Sequence, residues 1–132
     1  MATITASTTI TSTDLLSDSL SFSVSSAITA THSTGLARAP ITSTAKGTGA
    51  GQVTLYTADD YAATAYLYIK NVDTTTTDYI YVYCDTSSDD PRILRLSGGE
   101  WAFMPQHGDI TLKAYSATSG TIVEWMVFGT DQ

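Results

Sequence analysis

Between Ala63 and Cys84 apolar and aromatic positions alternate with unusual regularity. Leu67 and Ile69 alternate with Tyr66 and Tyr68, and Ile80, Val82 and Cys84 alternate with Tyr79, Tyr81 and Tyr83. Side chains of a strand point to opposite faces with period two. Each segment therefore reads as a strand with one aliphatic and one tyrosine face. The polar run 71–78 between them predicts the loop of an antiparallel hairpin. The same period continues elsewhere. Leu20, Phe22 and Val24 alternate with Ser21, Ser23 and Ser25, a half-buried strand, and Ser25-Ser26 suggests a bulge before Ile28 and Ala30.

Further strands are expected over 37–43, where Pro40 indicates an edge, and over 53–57, 92–96, 100–104, 109–117 and 121–129. In the last of these, Ile122, Glu124, Met126 and Phe128 alternate with Val123, Trp125 and Val127. No stretch keeps a helical period. Eight or nine short strands predict an all-β chain, an antiparallel β-sandwich or jelly roll. Residues 1–18 are Thr/Ser-rich with sparse Ile4, Ile10, Leu15 and Leu16, which predicts an extended N-terminal arm before a single domain over 19–132. Two readings stand for the arm: a tail, or a segment ordered by a neighbouring subunit.

Composition sharpens this picture. The chain has 132 residues, one domain's worth, and only 14% are charged. Its net charge is −7, and its six basic residues are scattered, with Arg92 and Arg95 the one close pair. Nucleic acid and anionic membrane surfaces are disfavoured as partners, since both require clustered Lys and Arg. No apolar run approaches a membrane span. The N-terminal sequence lacks a signal peptide's basic and apolar regions, so synthesis in the cytoplasm is expected. Cys84, the one cysteine, reads as a small core hydrophobe.

Candidate chemistry is sparse. KGTGAG at 46–51 lacks the spacing of a phosphate loop. Asp85, Asp89 and Asp90 could offer oxygens to calcium, but their spacing is not that of an EF-hand. His32 and His107 lie on separate loops and form no zinc pattern. Glu100 and Glu124 could be imagined as a glycosidase pair, although a partner across a sheet or at a subunit contact is the simpler account of Glu124. No nucleophile elbow, triad order or HExxH is present. The expectation is a non-enzyme without cofactor or metal. The candidate interface residues are Tyr66, Tyr68, Tyr79, Tyr81, Tyr83, Trp101 and Trp125, whose rings are apolar and whose tips are polar. Trp101 and the tyrosines could instead line a carbohydrate platform.

The segments YLYIKNVD, YIYV, RLSGGEWAFMP and ITLKAYSATSGTIVEWMVFGT follow one another over 66–130. Their order resembles that of small β-sandwich virion proteins of tailed bacteriophages, the head decoration or cement class. The likeness is one of strands and turns. It implies a virion structural protein that bridges capsid subunits, forms a homo-oligomer, most often a trimer, and has the major capsid protein or another virion protein as partner. The alternative it leaves open is a tail, neck or fibre module that binds carbohydrate or another virion protein.

Overall fold

The computed structural model describes residues 1–14, 19–47, 50–85 and 91–131. Eleven strands form in chain order: β1 (Ala2–Ser12), β2 (Leu20–Ala30), β3 (His32–Ser33), β4 (Ala37–Ile41), β5 (Val53–Tyr56), β6 (Thr64–Asn71), β7 (Ile80–Cys84), β8 (Arg92–Leu96), β9 (Trp101–His107), β10 (Leu112–Ser116) and β11 (Thr121–Gly129). The architecture is all-β and consistent with a β-sandwich. One sheet has the order β5-β10-β7-β8. The other runs β3-β11-β6-β9, with β4 also paired to β11. β1 and β2 form a separate two-stranded ribbon. Every pairing is antiparallel.

The predicted Tyr66–Tyr83 hairpin does not form. β6 lies between β11 and β9, whereas β7 lies between β10 and β8 in the opposite sheet. The alternation itself is as read: Ala65, Leu67, Ile69, Ile80 and Val82 are all fully buried in one core. Two strands with aliphatic faces can satisfy them by facing each other across a sandwich as well as by sitting side by side. The connection over 71–79 crosses between the sheets. Asn71, wholly buried, fixes its start. Its Nδ2 donates to the carbonyls of Asp78 (2.5 Å) and Leu96 (3.2 Å), and its Oδ1 accepts from the Asp73 N–H (3.2 Å).

The turn between β8 and β9 also crosses the sandwich. A Cβ on Gly98 would stand 2.3 Å from the Thr75 carbonyl oxygen, and Gly99 has φ +82°. Both positions therefore require glycine, one for close backbone approach and one for the left-handed conformation. β9 runs on through Pro105 to His107, beyond the expected end at Met104.

Residues 2–12 are not a lone arm. They pair with β2 along its whole length, from Ala2 opposite Ala30 to Ser12 opposite Leu20, without a register shift. The expected bulge at Ser25-Ser26 is absent, because Ser26 keeps the parity of Val24 and Ile28. β2 is also less buried than its pattern predicts: only Ile28 and Ala30 reach the core, while Phe22 and Val24 stay exposed. Leu15 and Leu16 lie outside the described residues.

Two tests follow from the core. Replacing Asn71 by Ala removes three hydrogen bonds to buried or partly buried backbone groups, so denaturant unfolding should show a loss of about 2–4 kcal/mol. The second test concerns the tyrosines. Burial, and next the Asp60 charge, push the Tyr61 hydroxyl up to about 12 from its ordinary 10.0. Burial raises Tyr56 as well, and its hydroxyl donates to the His107 carbonyl at 2.9 Å. Because the folded values are raised, the stabilisation is complete below pH 10 and is lost as pH climbs toward 12. The last part of the tyrosinate absorbance, that of the buried tyrosines, should therefore appear only with loss of the β-type circular dichroism. Full ionisation with the fold intact would contradict this burial.

Candidate interaction surfaces

The sandwich turns one aromatic surface outward on each sheet, and the two surfaces differ in what covers them. On the β3-β11-β6-β9 sheet, outward positions of three adjacent strands bring Tyr66, Phe103 and Phe128 together. Their rings stack with centroids 5.7–6.3 Å apart and interplanar angles of 11–21°. The base of the ribbon seats on this cluster: Ile28 and Ala30 are buried against Phe128, with Ile4, Ala6, Tyr66, Phe103 and Met126 around them.

The ribbon's pattern explains the seating. All its even-numbered residues share one face and its odd-numbered residues the other, because the register is unbroken. The odd face is Ser/Thr-rich and carries cross-strand hydroxyl bonds, Ser7 to Ser25 (3.0 Å) and Thr9 to Ser23 (3.1 Å). The even face is mainly apolar, interrupted by Thr8, Ser12 and Ser26. At eleven residues per strand, the ribbon is about 35 Å long. Its far half leaves the sheet, where Ile10, Phe22 and Val24 remain 51–54% exposed. Beside the ribbon base lies a cleft of about 260 Å³, walled by Ile4, Ala6 and Thr8 on one side and Tyr68, Trp101 and Phe103 on the other.

Next to this cleft a polar cluster crosses three strands. Glu124 of β11 stands opposite Arg38 of β4 and Lys70 of β6. Arg38 Nε donates to Glu124 Oε2 at 2.5 Å, and the Tyr68 hydroxyl donates to Oε1 at 3.0 Å. The Arg38 hydrogen bond, with that of Tyr68, holds the Glu124 carboxyl below its ordinary 4.5. Glu124 thus has the cross-sheet partner that its pattern suggested.

The outer face of the β5-β10-β7-β8 sheet gathers Tyr81 and Tyr83 of β7, and Tyr79 just before it, with Tyr115 of β10. Tyr81 stacks on Tyr115 at 5.0 Å, and Tyr83 meets Tyr115 edge-on at 5.9 Å. Cations cover these rings. Arg92 lies over Tyr81 (4.7 Å) and Tyr115 (5.5 Å), Arg95 over Tyr79 (4.7 Å) and Lys46 over Tyr83 (5.9 Å). Lys113 of β10 pairs with Asp85.

The seven candidate interface residues therefore scatter over the molecule. Tyr66 and Tyr68 share one outer face with the exposed Trp101, while Tyr79 and Tyr81 lie on the opposite one. Tyr83 is fully buried beneath its neighbours, its hydroxyl donating to Gln52 Oε1 at 2.5 Å. Trp125 points inward. It packs against the core and its Nε1 donates to the Leu55 carbonyl at 3.2 Å, so its role is packing. Sequence reading missed the apolar ribbon stripe, although the even-numbered Ile4, Ile10, Phe22 and Val24 carried it. It also missed the cation-covered tyrosines, since Lys46 is distant in sequence from Arg92.

Asp89 and Asp90 of the acidic loop lie outside the described residues. Among the described residues no group of three or more His, Cys, Asp or Glu side chains is placed to hold a metal, and no helix is long and apolar enough to cross a membrane. No family model, curated protein or solved structure matches the chain.

A pH series reads the Glu124 cluster. Its carboxyl is held low, so its contribution is complete above the ordinary 4.5 and is lost as pH falls through the lowered value. Glu124→Gln should melt below the wild type at neutral pH, and the gap should close as the solution is acidified under pH 4.5. A gap that widens toward low pH would reverse the assigned sign.

Proposed function

We propose that this chain is a structural assembly protein, a virion component of the head decoration class that stabilises a phage head by bridging capsid subunits. The observation that carries the reading is the ribbon. Its near half buries an apolar stripe against an aromatic sheet face, and its far half continues the same stripe over exposed Ile10, Phe22 and Val24. A two-stranded ribbon is marginal alone, so an exposed apolar extension is suited to a neighbour's surface. The strand and turn order over 66–130, which resembles that of small phage virion proteins, supports the same reading.

The mechanism is mechanical. A rigid sandwich sits at a junction of subunits, and the ribbon reaches across to the next one. A contact from one patch to a different patch is heterologous and closes into a ring when the rotation allows, which fits a homo-trimer. Several such contacts on one particle add by effective concentration, so none need be strong. The work is done by binding, with no catalytic step and no cofactor.

A second reading draws on Trp101, 58% exposed at the mouth of the cleft with Tyr68 and the Glu124–Arg38 pair nearby. An open aromatic ring beside fixed polar groups suits a sugar face, as on a fibre-associated module. Quenching of tryptophan fluorescence by host surface glycans would favour it.

For the assembly reading, the paired change Phe22→Ser and Val24→Ser alters two exposed side chains and should leave the sandwich folded by circular dichroism. Solution mass at micromolar concentration should fall from oligomer to monomer, and attachment to capsids should weaken at least about tenfold. If mass and attachment both stay at wild-type values, the ribbon is not the assembly element.

A further inference from the structure

We infer that the outer face of the β5-β10-β7-β8 sheet binds a carboxylate-rich segment of a different protein, with Arg92 and Arg95 as its anchors. The structure brings together what the sequence disperses: four of the chain's six basic residues, Lys46, Arg92, Arg95 and Lys113, lie against this one face. It is also the chemistry that net charge hides, because a chain at −7 invites the expectation of a basic partner.

The geometry favours carboxylates. Arg92 and Arg95 are exposed, and each guanidinium lies over a tyrosine ring at 4.7 Å. A guanidinium held over an aromatic ring still has N–H donors to offer an acceptor, and a carboxylate matches its planar fork bidentately. The rings beneath pack on one another, Tyr81 stacked on Tyr115 and Tyr79 tilted against Tyr81, so the arginines rest on a packed platform and lose less freedom on binding. Tyrosine and arginine are also the residues that most often anchor protein interfaces.

A second copy of this chain is a poor donor of the carboxylates. Many of its own are engaged locally. Glu124 pairs with Arg38 and Asp85 with Lys113. Asp60, Asp73 and Glu100 accept backbone N–H groups of Thr57, Ile122 and Ser97. Two copies at −7 also repel at long range. Nucleic acid is a poorer fit than protein, because its affinity comes from many phosphate contacts and two anchoring arginines supply few. The site is on the opposite sheet from the ribbon's seat and stands whether or not the ribbon mediates assembly.

Fluorescence anisotropy with a labelled poly-glutamate peptide tests the face, at low ionic strength and on the full chain. The wild type should bind, and added salt should weaken binding. Arg92→Gln with Arg95→Gln should cost at least about tenfold in affinity while the circular dichroism spectrum is unchanged. Arg92→Lys with Arg95→Lys keeps the charge without the planar fork and should fall between the two. Absence of peptide binding, or equal binding by the Gln variant, overturns the inference. So does a labelled single-stranded DNA of the same charge binding as tightly as the peptide. A drop in solution mass in the Gln variant would make a second copy the occupant and overturns it too. The Phe22/Val24 variant should bind the peptide like wild type, which separates failure of this face from failure of the ribbon.

Discussion

The structure depends on one constraint: from β4 onward, nearly every connection crosses the core. β4, β6, β9 and β11 belong to one sheet and β5, β7, β8 and β10 to the other, so only β7 and β8 follow each other within a sheet. Strands adjacent in sequence therefore face one another about 10 Å apart and close their aliphatic faces on a shared interior. Period-two alternation then sends Tyr66, Tyr68, Tyr81 and Tyr83 to the outer faces. The tyrosines are exported by the burial of Leu67, Ile69, Ile80 and Val82, and the crossing turns decide which outer surface each one reaches.

Exported aromatics must still be covered, and the molecule does so in two chemically distinct ways. On one sheet the chain folds its own ribbon back and places aliphatic side chains over Tyr66, Phe103 and Phe128. On the other it lays cations over Tyr79, Tyr81 and Tyr83. The first cover is dry and its surplus is apolar. The second is charged, with exposed guanidiniums as its surplus. The two surfaces thus differ in the partner chemistry they suit, although both begin from the same strand pattern.

Local alternation was legible in the sequence and pairing was not. Leu67, Ile69, Ile80, Val82, Leu112, Val123 and Val127 are core residues as their parity predicts, because parity depends only on the strand's own geometry. The Tyr66–Tyr83 hairpin was misread because a polar loop of this length serves equally as a turn within a sheet and as a crossing between sheets. The buried Asn71 that anchors the crossing looks in sequence like any loop asparagine. For the same reason Tyr83 and Trp125, plausible interface residues by type, are packing residues by position. The N-terminal segment was read as an arm because its apolar residues are too sparse for a core. Paired with β2, Ile4 and Ala6 pack beside Ile28 and Ala30 on the aromatic cluster, while Ile10 stays exposed.

Net charge proves a poor guide to the surface, and the reason is how the carboxylates are used. Asp60, Asp73 and Glu100 accept backbone N–H groups, and Asp78 accepts the Thr118 hydroxyl. In these roles a carboxylate shapes a turn, and its charge lies at the ends of the sandwich. Of the cations, Arg38 and Lys113 are held in pairs, while Arg92 and Arg95 reach from the edge strand β8 over the neighbouring tyrosine rings. Acidic residues thus dominate the sum, while four of the six basic residues gather against the outer face of the second sheet. A field averaged over the whole chain repels anions at a distance. Within a Debye length, about 8 Å at physiological salt, the local arrangement governs contact. A partner is therefore selected by the few guanidiniums it touches, and the surplus of aspartates acts mainly on how fast it arrives.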